Sequence, residues 1–298
     1  MKILITGGAG FIGSHMCEAL LAEGQTVLVI DNFSTGFKHN LPNHPALELV
    51  EADIAEAETV QRLFERFQPE TVIHAAASYK NPDAWQEDIR SNILGSANIV
   101  IAAKSTQVSK LIYFQTALCY GLTPLEQPVS LSHPFRPEGS SYAISKTAAE
   151  QYIELSGINY NTFRLANIIG PRNFSGPLAT FYHRLSQEKP CFVMDTRREF
   201  VFIDDLVAVV LKSIHGKGRR GAYHVATGGD FSIQELFETT LAVLDMTLDK
   251  PVEVRPRSPD DAFTILLDPT ETRRDFDWAA ETIRAHELDQ RFIVLSPI

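Results

Sequence analysis

Tyr142 and Lys146 stand four residues apart in Tyr142-Ala143-Ile144-Ser145-Lys146, at the start of a stretch with helical periodicity. An i, i+4 spacing sets both side chains on one helix face. A lysine ammonium beside a phenol favours the phenolate and lowers the tyrosine pKa toward working pH, as a tyrosine that removes and returns a hydroxyl proton requires. Thr116 follows the apolar run Leu111–Gln115, and its hydroxyl can donate to or accept from a substrate oxygen. Alone, Tyr-x-x-x-Lys often recurs by chance on a solvated helix face, and such a threonine can simply cap a strand.

Weight for the pair comes from the start of the chain. The apolar run Lys2–Thr6 passes into Gly7-Gly8-Ala9-Gly10-Phe11-Ile12-Gly13, and helical periodicity follows. Gly7, Gly10 and Gly13 allow a tight turn, close backbone approach to a pyrophosphate and close packing of helix on strand, while the helix N-terminus offers N–H donors and positive dipole. A P-loop would continue Gly-Lys-Ser/Thr, whereas Ser14-His15 follows here. Asp31 stands at the tip of the second apolar run, eighteen positions after Gly13, with Asn32 and Ser34 behind it. A carboxylate there suits both adenosine ribose hydroxyls and repels a 2′-phosphate, and no arginine follows it, so NAD is expected rather than NADP.

These residues need rigid elements to carry them. Lys2–Thr6, Thr26–Ile30, Leu47–Glu51, Thr71–His74, Leu111–Gln115 and Asn161–Leu165 read as strands, and Ser14–Glu23, Ala57–Phe67, Ile89–Thr106 and Tyr142–Leu155 as helices. Alternation of buried strands with helices predicts an α/β fold: a doubly wound parallel Rossmann sheet. After about Asn167 the alternation breaks, punctuated by Gly170-Pro171, Gly176-Pro177 and the prolines from 251 to 259. The expected division is a dinucleotide-binding domain over 1–166, to which 201–227 return, and a smaller mixed α/β substrate-binding region over 167–200 and 228–298.

Bulk properties narrow the classes of partner. A formal net charge of -10 argues against nucleic acid. No apolar run approaches the roughly 20 residues that span a bilayer, and the start of the chain lacks a signal-peptide plan, so a cytoplasmic location is expected. Cys17, Cys119 and Cys191 are scattered and read as reduced packing thiols, and the nine histidines form no metal-binding spacing. Trp85 and Trp278 read as core anchors. Arg172 is a candidate partner for a carboxylate should the sugar be a uronic acid.

At these motifs the chain resembles the extended short-chain dehydrogenase/reductase superfamily. Within it, the chain is similar to the NAD-dependent nucleotide-sugar epimerases and dehydratases such as UDP-glucose 4-epimerase, along nearly its whole length. The bacterial members encoded with polysaccharide assembly genes share its run Phe114-Gln115-Thr116-Ala117-Leu118-Cys119-Tyr120-Gly121. The resemblance implies that Asp53 and Ile54 hold the adenine, that Ala75 and Ala76 line the path to the nicotinamide, and that Asn92 anchors main chain near the catalytic residues. It further implies that Asn167, Arg198 and Arg257 meet the diphosphate of a UDP-linked sugar, for which planar guanidinium forks are suited. Glu199 departs from the family's aspartate, and the stretch from about Arg284 departs from its last helix. The helices Ile89–Thr106 and Tyr142–Leu155 fall where family members pair as homodimers.

The family's shared step is hydride transfer from a sugar carbon to NAD, with Tyr142 as base and Thr116 assisting. Dehydratases resembling this chain place an Asp-Glu pair after the threonine, and decarboxylases a Glu at the second position; Ala117 and Leu118 stand here, and neither moves a proton. The expectation is therefore 4-epimerisation through a transient 4-keto sugar. The alternatives are a dehydratase, a 4-keto reductase, or a non-catalytic NAD-binding regulator, against which the intact Thr116, Tyr142 and Lys146 argue.

Overall fold

The runs Ile3–Ile5, Val27–Ile30, Val72–Ile73 and Leu111–Phe114 are almost wholly excluded from solvent, and only a sheet covered on both faces can bury such runs. The computed structural model describes residues 1–79, 81–258 and 261–280. Its first half comprises β1 (Lys2–Thr6), α1 (Phe11–Ala22), β2 (Thr26–Asp31), β3 (Leu47–Glu51), α2 (Ala57–Phe67), β4 (Thr71–His74), α3 (Trp85–Asp88), α4 (Ser96–Ser105), β5 (Lys110–Thr116), α5 (Ser141–Leu155) and β6 (Tyr160–Leu165). The rest comprises β7 (Asn167–Ile169), α6 (Gly176–Leu185), β8 (Phe192–Met194), β9 (Arg197–Arg198), β10 (Phe200–Phe202), α7 (Ile203–Ile214), β11 (Gly221–Val225), β12 (Phe231–Ser232), α8 (Ile233–Val243), β13 (Glu253–Arg255) and α9 (Thr270–Phe276).

Among the described residues, seven strands form one sheet in the order β11-β6-β5-β4-β1-β2-β3, every pair parallel. The period of two along each strand splits the core in half. Ile3, Ile5, Val27, Val29, Ile73 and Ile112 pack with α1 and α7, while Leu4, Leu28, Ile30, Val72, Leu111 and Tyr113 pack with α2, α4 and α5. Strand order reverses between β1 and β4, which opens a crevice beyond their carboxyl ends. Outside this sheet, β7 pairs with β10, β8 with β13 and β9 with β12, each as a short ribbon.

The sequence-based Rossmann expectation agrees with this architecture, with local differences. Helix α1 starts at Phe11, capped by Gly10 in extended conformation, because the glycine turn delivers the chain directly into helix. The helix expected from Ile89 starts at Trp85 and passes through a π-helical segment, Ile89–Gly95, before α4. Trp278 is buried and its indole N–H donates to Asp205 O at 3.0 Å. Trp85 is 65% exposed, contrary to the core reading; it opens a one-turn helix, with its indole N–H held by Pro82 O at 3.1 Å. Cys17 and Cys119 are buried free thiols. The stretch from Arg284 lies outside the described residues.

Candidate active site

The crevice is a cleft of about 310 Å³ whose floor is the glycine turn and whose far end holds Thr116, Tyr142 and Lys146. The turn is built for close approach. Gly7 has φ +67°, and a Cβ there would lie 2.6 Å from Ala76 Cα. A Cβ on Gly13 would lie 2.2 Å from Gly7 O, so neither position accepts a side chain. Phe11, Ile12, Asn32, Ser34, Ile54, Ala75 and Ala76 join Gly7, Gly10, Gly13 and Asp31 in the lining. The Asp31 carboxylate accepts N–H from Ala9 and from Phe33, both at 2.8 Å. Those bonds fix its orientation at the strand tip, while burial raises its pKa. The cradle fits a dinucleotide with unmodified ribose hydroxyls.

At the other end, the Thr116 hydroxyl accepts from Leu118 N at 3.2 Å, capping the 3-10 turn Ala117–Tyr120, and its own proton stays available to the cleft. The Ser140 hydroxyl caps α5 through Ala143 N, so Tyr142 and Lys146 sit on the first turns of a helix with a fixed start. Gln115 Nε2 donates to Lys146 O and to Glu150 Oε2, both at 3.0 Å, and Gln115 Oε1 accepts from Thr116 N at 2.8 Å. One buried amide thus ties the threonine to the helix of the pair.

Electrostatics here differ from the expectation. Burial pushes the Tyr142 hydroxyl well above its usual range, and Tyr79 and Asp88 add to the rise. Lys146 is itself so buried that its pKa drops to about 7 despite the Glu150 carboxylate, and its ammonium lies 4.0 Å from the Tyr113 ring centroid. Desolvation outweighs the attraction that the spacing predicts. A pH dependence follows. The unfolded lysine titrates near 10.5 and the folded one near 7; between those values the unfolded chain binds the extra proton, so stability rises with pH across that window. In protein stripped of dinucleotide, Lys146→Met is expected to flatten the rise between pH 7 and pH 9 in urea denaturation. An unchanged slope would show that this ammonium escapes the desolvation.

Five residues expected at the site do not line the cleft. Asp53 pairs with Arg90 at 2.9 Å and accepts Ala55 N at 2.8 Å. Asn92 accepts Ser78 N at 2.8 Å and donates to Ser78 O and Ser145 Oγ, each at 2.9 Å; it ties the β4 loop to α5. Asn167 donates to Glu199 O at 3.0 Å. Arg198 donates to Asp261 Oδ2 at 2.5 Å and Arg257 to Asp261 O at 2.8 Å. The last two therefore meet around one segment, away from the glycine turn. Glu199 is buried and accepts from Gly228 N, Thr227 Oγ1 and Leu267 N, so it serves as a structural clasp.

Sequence reasoning missed a polar chain behind the cleft. Ser96 Oγ donates to Asn92 O at 2.6 Å and so must accept from His74 Nε2 at 2.8 Å. His74 Nδ1 then accepts from Thr6 Oγ1 at 2.6 Å, and Thr6 Oγ1 accepts from Ala76 N. The hydrogen-bond network assigns this tautomer, and burial, with the nearby Lys146 ammonium adding to it, lowers the His74 pKa to about 3. Three scattered polar residues inside apolar runs were the only signal in the sequence.

With this geometry in place, comparisons settle the class. The NAD dependent epimerase/dehydratase family matches residues 3–226, and the chain belongs to that family, with NAD as its cofactor. The UDP-glucose 4-epimerase of Mycolicibacterium smegmatis is 31% identical over 96% of this chain and 95% of its own. UDP-glucuronic acid decarboxylase 2 of Arabidopsis thaliana is 28% identical over 93% of this chain and 64% of its own. Among solved structures, the Bordetella bronchiseptica enzyme WbmH in complex with NAD+ shares 46% identity at TM-score 0.94, covering 98% of this chain and 97% of that one. WbmG from the same organism, in complex with NAD and UDP, shares 40% identity at TM-score 0.94, covering 99% of this chain and 94% of that one. Among the described residues, no helix is long and apolar enough to cross a membrane.

Proposed function

We propose that the protein is a UDP-sugar 4-epimerase acting through a transient 4-keto sugar. The supporting observation is the turn after Thr116: Ala117 and Leu118 stand where a second proton-moving group would be needed, and the carboxylate in the cleft lining, Asp31, sits at the opposite end. Tyr142 takes the proton of the sugar 4-hydroxyl and, once the 4-keto sugar has rotated to present its other face to the hydride, returns that proton to the same oxygen. The Thr116 hydroxyl donates to the same oxygen, and Lys146 holds the nicotinamide ribose. The glycine turn and Asp31 would hold NAD, which would supply the reversible hydride acceptor and a charged ring favouring the phenolate that burial alone disfavours. Dehydration would require an acid beside Thr116.

Residues 1–166 with 201–227 would hold the dinucleotide, Asp53, Ile54 and Asn92 serving its adenine end and the loop at Ser78. The region 167–200 and from 228 onward would hold the UDP-sugar, with Asn167, Arg198 and Arg257 on its diphosphate. UDP in the WbmG complex and the 4-epimerase relative support this substrate class. The exposed apolar side chains of Ile89, Leu94, Ile101, Ile144, Tyr152 and Leu155 support a homodimer formed through the π-helical segment, α4 and α5; a monomeric mass in light scattering would remove it. The deciding assay incubates the protein with UDP-glucose, UDP-N-acetylglucosamine and UDP-glucuronate and reads the products by NMR. Inversion at C4 is expected. A 4-keto-6-deoxy sugar or a decarboxylated pentose would overturn the reading.

A further inference from the structure

Between β7 and α6 the chain reads Gly170-Pro171-Arg172-Asn173-Phe174-Ser175, and it crosses the mouth of the dinucleotide cleft, with residues 172–175 in the lining. The Phe174 ring meets Phe37 of the β2 loop edge-on, 5.7 Å between centroids. Phe37 N in turn donates to Ala9 O at 3.1 Å. This strap therefore starts on the β6 side of the switch point and ends against the β2 side, passing over the glycine turn.

Arg172 is its anchor. Nη1 donates to Ser14 Oγ at 3.1 Å and Nη2 to Glu18 Oε1 at 2.5 Å. Ser14 Oγ donates onward to Phe11 O, so the guanidinium is aimed from the first turns of α1. Its φ is +67°, a left-handed conformation that costs a non-glycine residue energy and persists only where the surroundings impose it. A guanidinium has five donors, and three of these make no hydrogen bond among the described residues. Lys146 and Arg172 are the cations of the cleft lining, and Lys146 is committed to the tyrosine end. A helix N-terminus offers about half a unit charge, whereas the diphosphate of a dinucleotide carries close to two. Arg172 shares its charge with the Glu18 carboxylate, yet it keeps three donors in the cleft lining beside Ser14, where the glycine turn ends, and not at the sugar end where a uronate carboxylate would lie.

We propose that Arg172 is a cofactor ligand whose guanidinium binds the NAD diphosphate, carried there by the strap that closes the cleft. The proposal depends on NAD as cofactor and not on the reaction the enzyme performs, so either can fail without the other. It is tested by calorimetric titration of dinucleotide-stripped protein with NAD, ADP-ribose and adenosine. Arg172→Gly removes the guanidinium at a φ that glycine adopts freely, and Arg172→Lys keeps the charge without the fork. Hydrogen bonds to charged groups contribute roughly 1.5–3 kcal/mol, so the Kd for NAD and ADP-ribose is expected to rise about 10- to 100-fold in Arg172→Gly. The rise should be smaller in Arg172→Lys, with adenosine affinity and the melting temperature without NAD little changed. An unaltered NAD affinity overturns the proposal. So does a parallel loss for adenosine, which would make the arginine a prop for the strap alone. Should the glycine variant melt early, Arg172→Lys decides: wild-type affinities for all three ligands, or an adenosine loss matching that for NAD, would equally reject the role.

Discussion

Tyr142→Phe is expected to lower turnover by about 10²- to 10⁴-fold, the range that positioned proton transfer contributes, while the protein still releases NAD on denaturation. The substitution deletes one oxygen and keeps the ring, which packs 6.5 Å from Tyr79 between centroids. Nothing at the glycine turn touches that oxygen. Gly7 and Gly13 are shaped by Ala76 and by each other, and Asp31 by Ala9 and Phe33. Binding and chemistry should therefore separate, with NAD content unchanged and the rate lost. A variant retaining activity within about tenfold of wild type would place the base elsewhere, since the phenylalanine ring cannot move a proton.

Tyr142 was legible because its surroundings are repetitive in physical terms. A strand buried on both faces, a glycine turn and an acidic strand tip each leave a local trace, and together they locate β1, α1, β2 and the cleft from sequence. Tyr-x-x-x-Lys marks α5 for the same reason, since spacing alone brings two side chains together on a helix. Long-range tertiary contacts leave no such trace. Arg172 lies 158 positions from Ser14, and only the return of the chain after β7 shows that the two meet. The sign of the Tyr142 shift was equally hidden: spacing announces a nearby ammonium, but the desolvation that outweighs it depends on how deeply both groups are packed. The π-helical segment Ile89–Gly95 was also unreadable, because its residues keep ordinary helical propensity while Asn92 turns toward Ser78 and Ser145.

Arg164→Met is expected to destabilise the protein by about 3–5 kcal/mol, the usual cost of stripping one partner from a buried ion pair. Arg164 on β6 and Glu150 on α5 are 9% and 3% exposed and joined at 2.8 Å, with a second contact from Nε at 3.1 Å. Arg164 Nη1 also donates to Tyr120 OH at 2.6 Å. An arginine cannot accept, so the Tyr120 proton passes to His224 Nε2 at 2.6 Å and the proton on His224 Nδ1 reaches Asp268 O at 2.9 Å. Burial lowers the His224 pKa to about 4, which keeps that ring neutral and the order of donors fixed. The methionine variant would leave the Glu150 carboxylate in the interior with Gln115 as its remaining side-chain donor. Gln115 is the amide that ties Thr116 to the helix of Tyr142 and Lys146, so the loss of stability should come with a fall in kcat and little change in NAD content. Pairing Arg164→Met with Glu150→Gln removes the stranded charge and is expected to restore most of the stability in urea denaturation. A single variant that loses less than about 1 kcal/mol would show that water reaches the pair and screens it.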